Sequence, residues 1–169
     1  MNIFYLHYNT RRCARYHVDR HVVKMILETA QLLCTAIIII TNDENTGFCK
    51  ATHKNHPCAI WARKSKANWL WLKELGLALC KEYTLRYEKK HKYEDKIEAL
   101  IVPDLEDVEF TEPPQAMPEE YKNKESSVIA YRQYYISGKK HLHHWKTRHA
   151  WKNRKIPKFI LKAIPEYNI

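Results

Sequence analysis

The chain has 169 residues, 45% of them apolar, with 29 Lys or Arg against 19 Asp or Glu and a formal net charge of +10. That length buries a core without staples, and that apolar content argues against a disordered chain, so one soluble globular domain is expected. Five scattered cysteines, odd in number and without a CxxC pair, argue against a disulfide framework and for reduced thiols in a cytoplasm.

The opening MNIFYLHYNTRRCARYH has no apolar core followed by a small-residue cleavage site, so it does not read as a signal peptide. MNIFYL itself reads as a short strand or a tucked-in terminus. From Arg11 to about Ile40 the sequence predicts one long helix, with few breakers and good helix formers. The β-branched turns TAIIII at its end could instead leave the helix. Its greasy part, Val22 to Ile40, carries Lys24, Glu28 and Gln31, which tells against a membrane span. TNDENTG is a polar loop. THKNHP leads into a second helix, with Pro57 in the first turn and Asn55 or His56 as cap, running to about residue 92. Trp61, Leu72, Leu75 and Leu79 form its apolar face, and Gly76 either allows close packing or marks a weak point. A shorter helix is expected over Tyr93 to Leu100. Pro103, Pro113, Pro114 and Pro118 then punctuate an acidic loop. A helix resumes near Ser126 in SSVIAYRQYYI and stops around Gly138, before a tail that interleaves Lys, Arg and His with Trp145 and Trp151. The expected class is all-α: a compact single-domain helical bundle over residues 1–169, with long loops, a helical core at 1–137 and a basic, aromatic-rich C-terminal segment at 138–169.

The charge is unevenly placed. From Ser126 to Pro165 there are ten Lys or Arg and no Asp or Glu, while the rest of the chain holds 19 of each sign. The whole excess therefore sits in the last quarter, the footprint expected for a polyanion partner. The plain alternative is a solvated basic tail.

HVDRHVVKMILETAQLL carries His17, His21, Lys24, Glu28 and Gln31 at spacings of 4, 3, 4 and 3, which on one helix share a face. The flanking residues are apolar, so the polar strip is narrow, unlike the broad polar face of a surface helix. Two imidazoles, an amine and a carboxylate lining a cleft form a proton-transfer set. The same strip could be only the charged edge of a packed helix, with Lys24 and Glu28 an ordinary i,i+4 pair. NHPCAIWAR adds His56, near a helix start where backbone N–H groups meet phosphates, and Arg63. AYRQYYISGKK adds Tyr131, Arg132, Tyr134, Tyr135, Lys139 and Lys140, a mixture that suits stacked bases and phosphates and equally suits a core. HLHHW and His149 lack local carboxylates and match no zinc spacing, so neither metal nor cofactor is expected. In PPQAMPEEY, Gln115 and Met117 could wedge into a base stack, although loops bounded by Pro usually turn corners.

The order of these features resembles the small helical pyrimidine-dimer DNA glycosylases of the phage endonuclease V type and their bacterial relatives. It comprises a short start bearing a histidine, a polar-striped first helix, an N-H-P entry into a second helix and Y-R-x-Y-Y-x-x-G-K near the end. It is also similar to small uncharacterised proteins of phages and large DNA viruses that share HVVKMILE-AQLL, NHP and QAMPEEY. The likeness spans roughly residues 1 to 140.

The resemblance implies base excision from damaged duplex DNA. An N-terminal amine attacks the sugar C1′, an imine forms and β-elimination can nick the strand. A reference α-amine titrates at about 7.7–8, leaving a useful neutral fraction near neutral pH. A carboxylate beside the sugar stabilises developing positive charge, cations hold phosphates, and opening the lesion costs about a few kcal/mol. Carried over, His17 matches a family histidine early in the first helix, and Tyr131, Arg132, Tyr134, Tyr135 and Lys139 match the aromatic-basic segment. Two departures stand out. The family amine usually belongs to a small second residue exposed by loss of the initiator Met; residue 2 here is Asn, so Met1 would itself supply the amine. The family's catalytic Glu falls at or near Lys24 in a gapless reading, and the nearest carboxylate on that face is Glu28, one turn on. Lys24 is then an alternative imine-forming amine if it is buried.

The leading expectation is a monomeric repair glycosylase with AP-lyase activity, acting on DNA without a membrane partner. If the protein is viral, it would work in the host cytoplasm, the nucleus or a virus factory. The alternatives are a viral base- or nucleotide-modifying transferase or hydrolase on the same scaffold, and a non-catalytic nucleic-acid-binding protein.

Overall fold

A computed structural model of the chain describes residues 1–45, 48–145 and 148–168. Thr46 and Gly47 of the expected polar loop, Lys146 and Thr147 of the basic tail, the Trp145 side chain and Ile169 lie outside the described residues. Among the described residues are seven α-helices, three single-turn 3-10 helices and one hairpin of two-residue strands, an all-α architecture.

MNIFYL makes no strand. It is a tucked-in terminus, with Ile3, Phe4, Tyr5 and Leu6 all buried. The long helix expected from Arg11 to Ile40 is two helices, α1 (Thr10–Tyr16) and α2 (Asp19–Thr41), broken where His17 and Val18 turn extended. Asn9 caps α1 by accepting from the Arg12 N–H. The break is held by a residue far away in sequence. The fully buried Arg86 guanidinium donates to the carbonyls of Arg15 and His17 and to the carboxylates of Asp19 and Glu82. It thus satisfies carbonyls that the end of α1 leaves orphaned. The TAIIII turns stay helical, and α2 ends at Asn42 in the left-handed region. By length and composition α2 could cross a membrane, but most of its apolar window is buried inside the fold.

The second predicted helix is also divided, into α3 (Pro57–Ala62) and α4 (Lys66–Tyr87). Pro57 starts α3, and His56 caps it by accepting from the Cys58 N–H at 3.1 Å. Ser65 caps α4 by accepting from the Asn68 N–H. Glu88, at φ 55°, ends α4 before residue 92. α2 packs along α4, and Gly76 is the point of close approach: a Cβ there would stand 2.8 Å from Thr29 Cγ2.

α5 (Glu94–Ala99) matches the short helix expected at 93–100, and α6 (Ser127–Ile136), capped by Ser126, matches the helix after the proline loop. The loop between them is irregular but tied down. Asn68 bonds Trp61 and Thr111, Glu112 accepts from the Ser127 N–H, and the Gln115 amide exchanges two hydrogen bonds with the Asn123 backbone. The tail folds as a hairpin, β1 (His144–Trp145) antiparallel to β2 (Arg148–His149), followed by α7 (Lys158–Ala163). Trp151, Ile160, Ile164 and Tyr167 join the same apolar core as α2 and α4.

Candidate active site

The tucked-in start of the chain runs against the middle of α2. The Asn2 N–H donates to Glu28 Oε2 at 2.8 Å, and the Met1 α-amine lies 4.0 Å from the same oxygen. Lys24, one turn earlier on α2, reaches Glu28 Oε1 at 3.5 Å. These groups, with Phe4, His21, Met25 and Lys139, line a cleft of about 190 Å³. A larger hollow of about 350 Å³ lies between Asp19, Val23, Tyr87, Leu142, Arg148 and Ala150. It is lined by neither Met1 nor Glu28.

His21 stacks on Phe4, ring centroids 4.2 Å apart. Its Nδ1 is 2.5 Å from the Tyr135 hydroxyl, which itself accepts from the Val18 N–H. The hydroxyl and Nδ1 share one hydrogen bond whose direction follows the tautomer of His21. Burial, reinforced by His17, Lys139 and Lys24, pushes the His21 imidazole down to about 2. The ring is therefore neutral and hydrogen-bonds without carrying charge.

The remaining expected residues divide into groups. His17 is not on the α2 stripe. It ends α1, fully buried, with Nδ1 2.8 Å from the Cys13 carbonyl, and burial lowers it to about 4. The stripe that survives is His21, Lys24, Glu28 and Gln31; Gln31 is half-buried and outside the cleft lining. Lys24 is 69% exposed at its side chain, so the burial that the alternative amine requires is absent. His56 spends its Nδ1 as the α3 cap, and burial, then the charge of the nearby chain terminus, lowers its pKa. Arg63 holds the Lys54 carbonyl in a separate polar hollow with Asn42 and Asn55.

The aromatic-basic segment turns mostly inward. Tyr131 and Tyr135 are fully buried. Arg132 donates to the Leu6 carbonyl and lies over the rings of Tyr16 and Phe159. Tyr134 is half-buried, and Lys139 sits 4.7 Å above its ring while lining the cleft. Lys140 is exposed and pairs with Glu166 at 3.7 Å.

Residues that the sequence did not single out complete the picture. Asp19 and Glu82, both buried, hold Arg86 from one side and the tail's Arg148 and Arg154 from the other. Part of the tail's positive charge is thus committed to the fold. The Glu82–Arg86 i,i+4 spacing was the only sequence sign of this cluster. Asn2 was read as a departure only, yet it makes the contact with Glu28.

A family model described as pyrimidine dimer DNA glycosylase matches residues 1–95, more than half of the chain. No curated protein and no solved structure matches it. The matched stretch contains the tucked-in start, all of α2 with Glu28, α3 and α4. The chain belongs to the pyrimidine dimer DNA glycosylase family.

Proposed function

We propose that the protein excises damaged pyrimidines from duplex DNA, with the Met1 α-amine as nucleophile and Glu28 as its partner carboxylate, and that strand nicking by β-elimination follows. The observation that carries this reading is the approach of the chain start to Glu28, 2.8 Å from Asn2 N and 4.0 Å from the Met1 amine. In the first step the neutral amine forms a bond to C1′ of the damaged nucleotide while the glycosidic bond breaks. The base leaves with that electron pair and takes up a proton. Glu28 accepts a proton from the attacking nitrogen; the C1′–O4′ bond of the sugar then breaks, O4′ takes the electron pair and a proton, and the carboxylate offsets the positive charge of the ring-opened iminium that results. Loss of a 2′ proton then expels the 3′ phosphate, and water releases the sugar remnant and restores the amine.

Lys139 and Lys24 border the cleft on the solvent side and suit flanking phosphates. The neutral His21 lines the same cleft and adds an uncharged hydrogen-bonding ring beside the sugar. No cofactor enters this scheme.

The test is incubation with a duplex carrying one cyclobutane pyrimidine dimer. The expected result is release of the glycosidic bond at the dimer and a nick at that position. An intact strand on dimer-containing and abasic duplexes alike would overturn the reading.

A further inference from the structure

The start of an extended chain is ordinarily loose, and an amine that must meet C1′ gains from being fixed. Here the Asn2 side chain is bonded on both sides. Its Nδ2 donates to the Ala116 carbonyl at 2.9 Å. Its Oδ1 accepts from the Ile3 N–H at 2.8 Å and lies 2.7 Å from the Tyr131 hydroxyl. That hydroxyl, on a fully buried ring, also lies 2.7 Å from the Pro114 carbonyl and accepts from the Ala116 N–H. The loop carrying Pro114 and Ala116 is anchored in turn, through Ser127 Oγ on Pro113 and through the Gln115–Asn123 pair.

We infer that Asn2 and Tyr131, with the Pro114–Ala116 backbone, form a clamp that sets the first amine of the chain against Glu28. Asn2 and Tyr131 are positioning residues, acting through the amine and not on the substrate. The asparagine that departs from the family's small second residue is thereby given a task that a small side chain cannot perform: it spans to Ala116 and Tyr131 while its backbone N–H holds Glu28. The clamp draws on α6 and the proline loop, both beyond the family-matched residues 1–95. Its catalytic consequence rests on the amine chemistry proposed above, and its structural content does not.

The test uses Asn2→Leu and Tyr131→Phe in the full chain. Leu keeps residue 2 bulky, so aminopeptidase removal of Met1 is not introduced, and intact mass verifies Met1 in each protein. Without DNA, the heteronuclear NOE of the residue 2 amide should be core-like in the parent and fall to that of a loose terminus in both variants. With an abasic-site duplex, the borohydride-trapping rate at saturating DNA should fall at least tenfold, while the Kd for that duplex stays within twofold. An unchanged NOE in both variants overturns the clamp, and a lost NOE with an unchanged trapping rate overturns its positioning role. Loss of the NOE in the variants together with no adduct from the parent supports the clamp and overturns the amine chemistry instead.

Discussion

Glu28 Oε2 accepts a hydrogen bond from the backbone N–H of Asn2 at 2.8 Å, joining the start of the chain to the middle of α2 across 26 residues. Glu28→Gln retains an acceptor for that N–H and removes the charge that the proposed mechanism sets against an iminium. Single-turnover excision should fall by about a hundredfold or more, with DNA affinity changed by less than threefold. Retention of full activity would remove the carboxylate from the mechanism.

Arg86 places all its N–H groups on four partners around the α1–α2 break. Arg86→Met leaves the buried Asp19 and Glu82 with Arg148 and Arg154 as their ion-pair partners among the described residues. Urea denaturation should show a loss of about 3–5 kcal/mol, the cost of stranding charge in a buried network. A loss below ~1 kcal/mol would show that the cluster does not hold the break.

Gly76 lets α4 approach α2 where a Cβ would meet Thr29 Cγ2 at 2.8 Å. Gly76→Ala should destabilise by ~1–3 kcal/mol despite the better helix propensity of alanine. Adding Thr29→Ser removes the clashing methyl and should recover much of that loss. If the double variant is no better than the single one, the clash is elsewhere.

Burial holds His17 down to about 4, from an ordinary value of 6.5. The unfolded chain therefore binds a proton before the folded one does as pH falls. The corresponding stability is complete above pH 6.5 and is lost as pH falls towards 4, on the order of 3 kcal/mol for His17. Denaturation midpoints measured between pH 7 and pH 4 should show this decline, and His17→Gln should lessen it, leaving the part that the likewise depressed His21 and His143 contribute. In proton NMR, neither His17 nor His21 should titrate between pH 5 and pH 8.

The cations of the C-terminal part divide by what they touch. Lys139 lines the cleft, whereas Arg154 is held by both Glu82 oxygens, at 2.6 and 3.0 Å. Lys139→Ala should lower the salt dependence of DNA binding by about one phosphate contact, a slope change near ~0.9. Arg154→Ala should lower stability and leave that slope unchanged. Equal effects on the slope would mean that the tail binds only as undifferentiated charge.

The local chemistry of the fold was legible in the sequence. Pro57 with His56 as cap, the short helix after Tyr93 and the resumption near Ser126 follow from residues within a few positions of each boundary. The breaks at His17–Val18 and at 63–65 were not, because no proline or glycine interrupts helix there and a serine such as Ser65 is a cap only if the chain turns at it. They are set by Arg86, by the Ser65 cap and by Asn68 bonding the loop at Thr111. The candidate site shows the same division. Helical spacing aligned His21, Lys24 and Glu28, but no periodicity could bring Asn2 to Glu28 or Tyr131 to Asn2, contacts separated by 26 and 129 residues. The composition of the aromatic-basic run suited a binding face and a core alike, and only packing shows Tyr131 and Tyr135 turned into the core.

The central claim is that the first amine of the chain performs the attack. Borohydride trapping on an abasic-site duplex, followed by protease digestion and mass spectrometry of the cross-linked peptide, reads it directly. The adduct is predicted on the α-nitrogen of Met1, and attachment at Lys24 or Lys139, or no adduct at all, would contradict it.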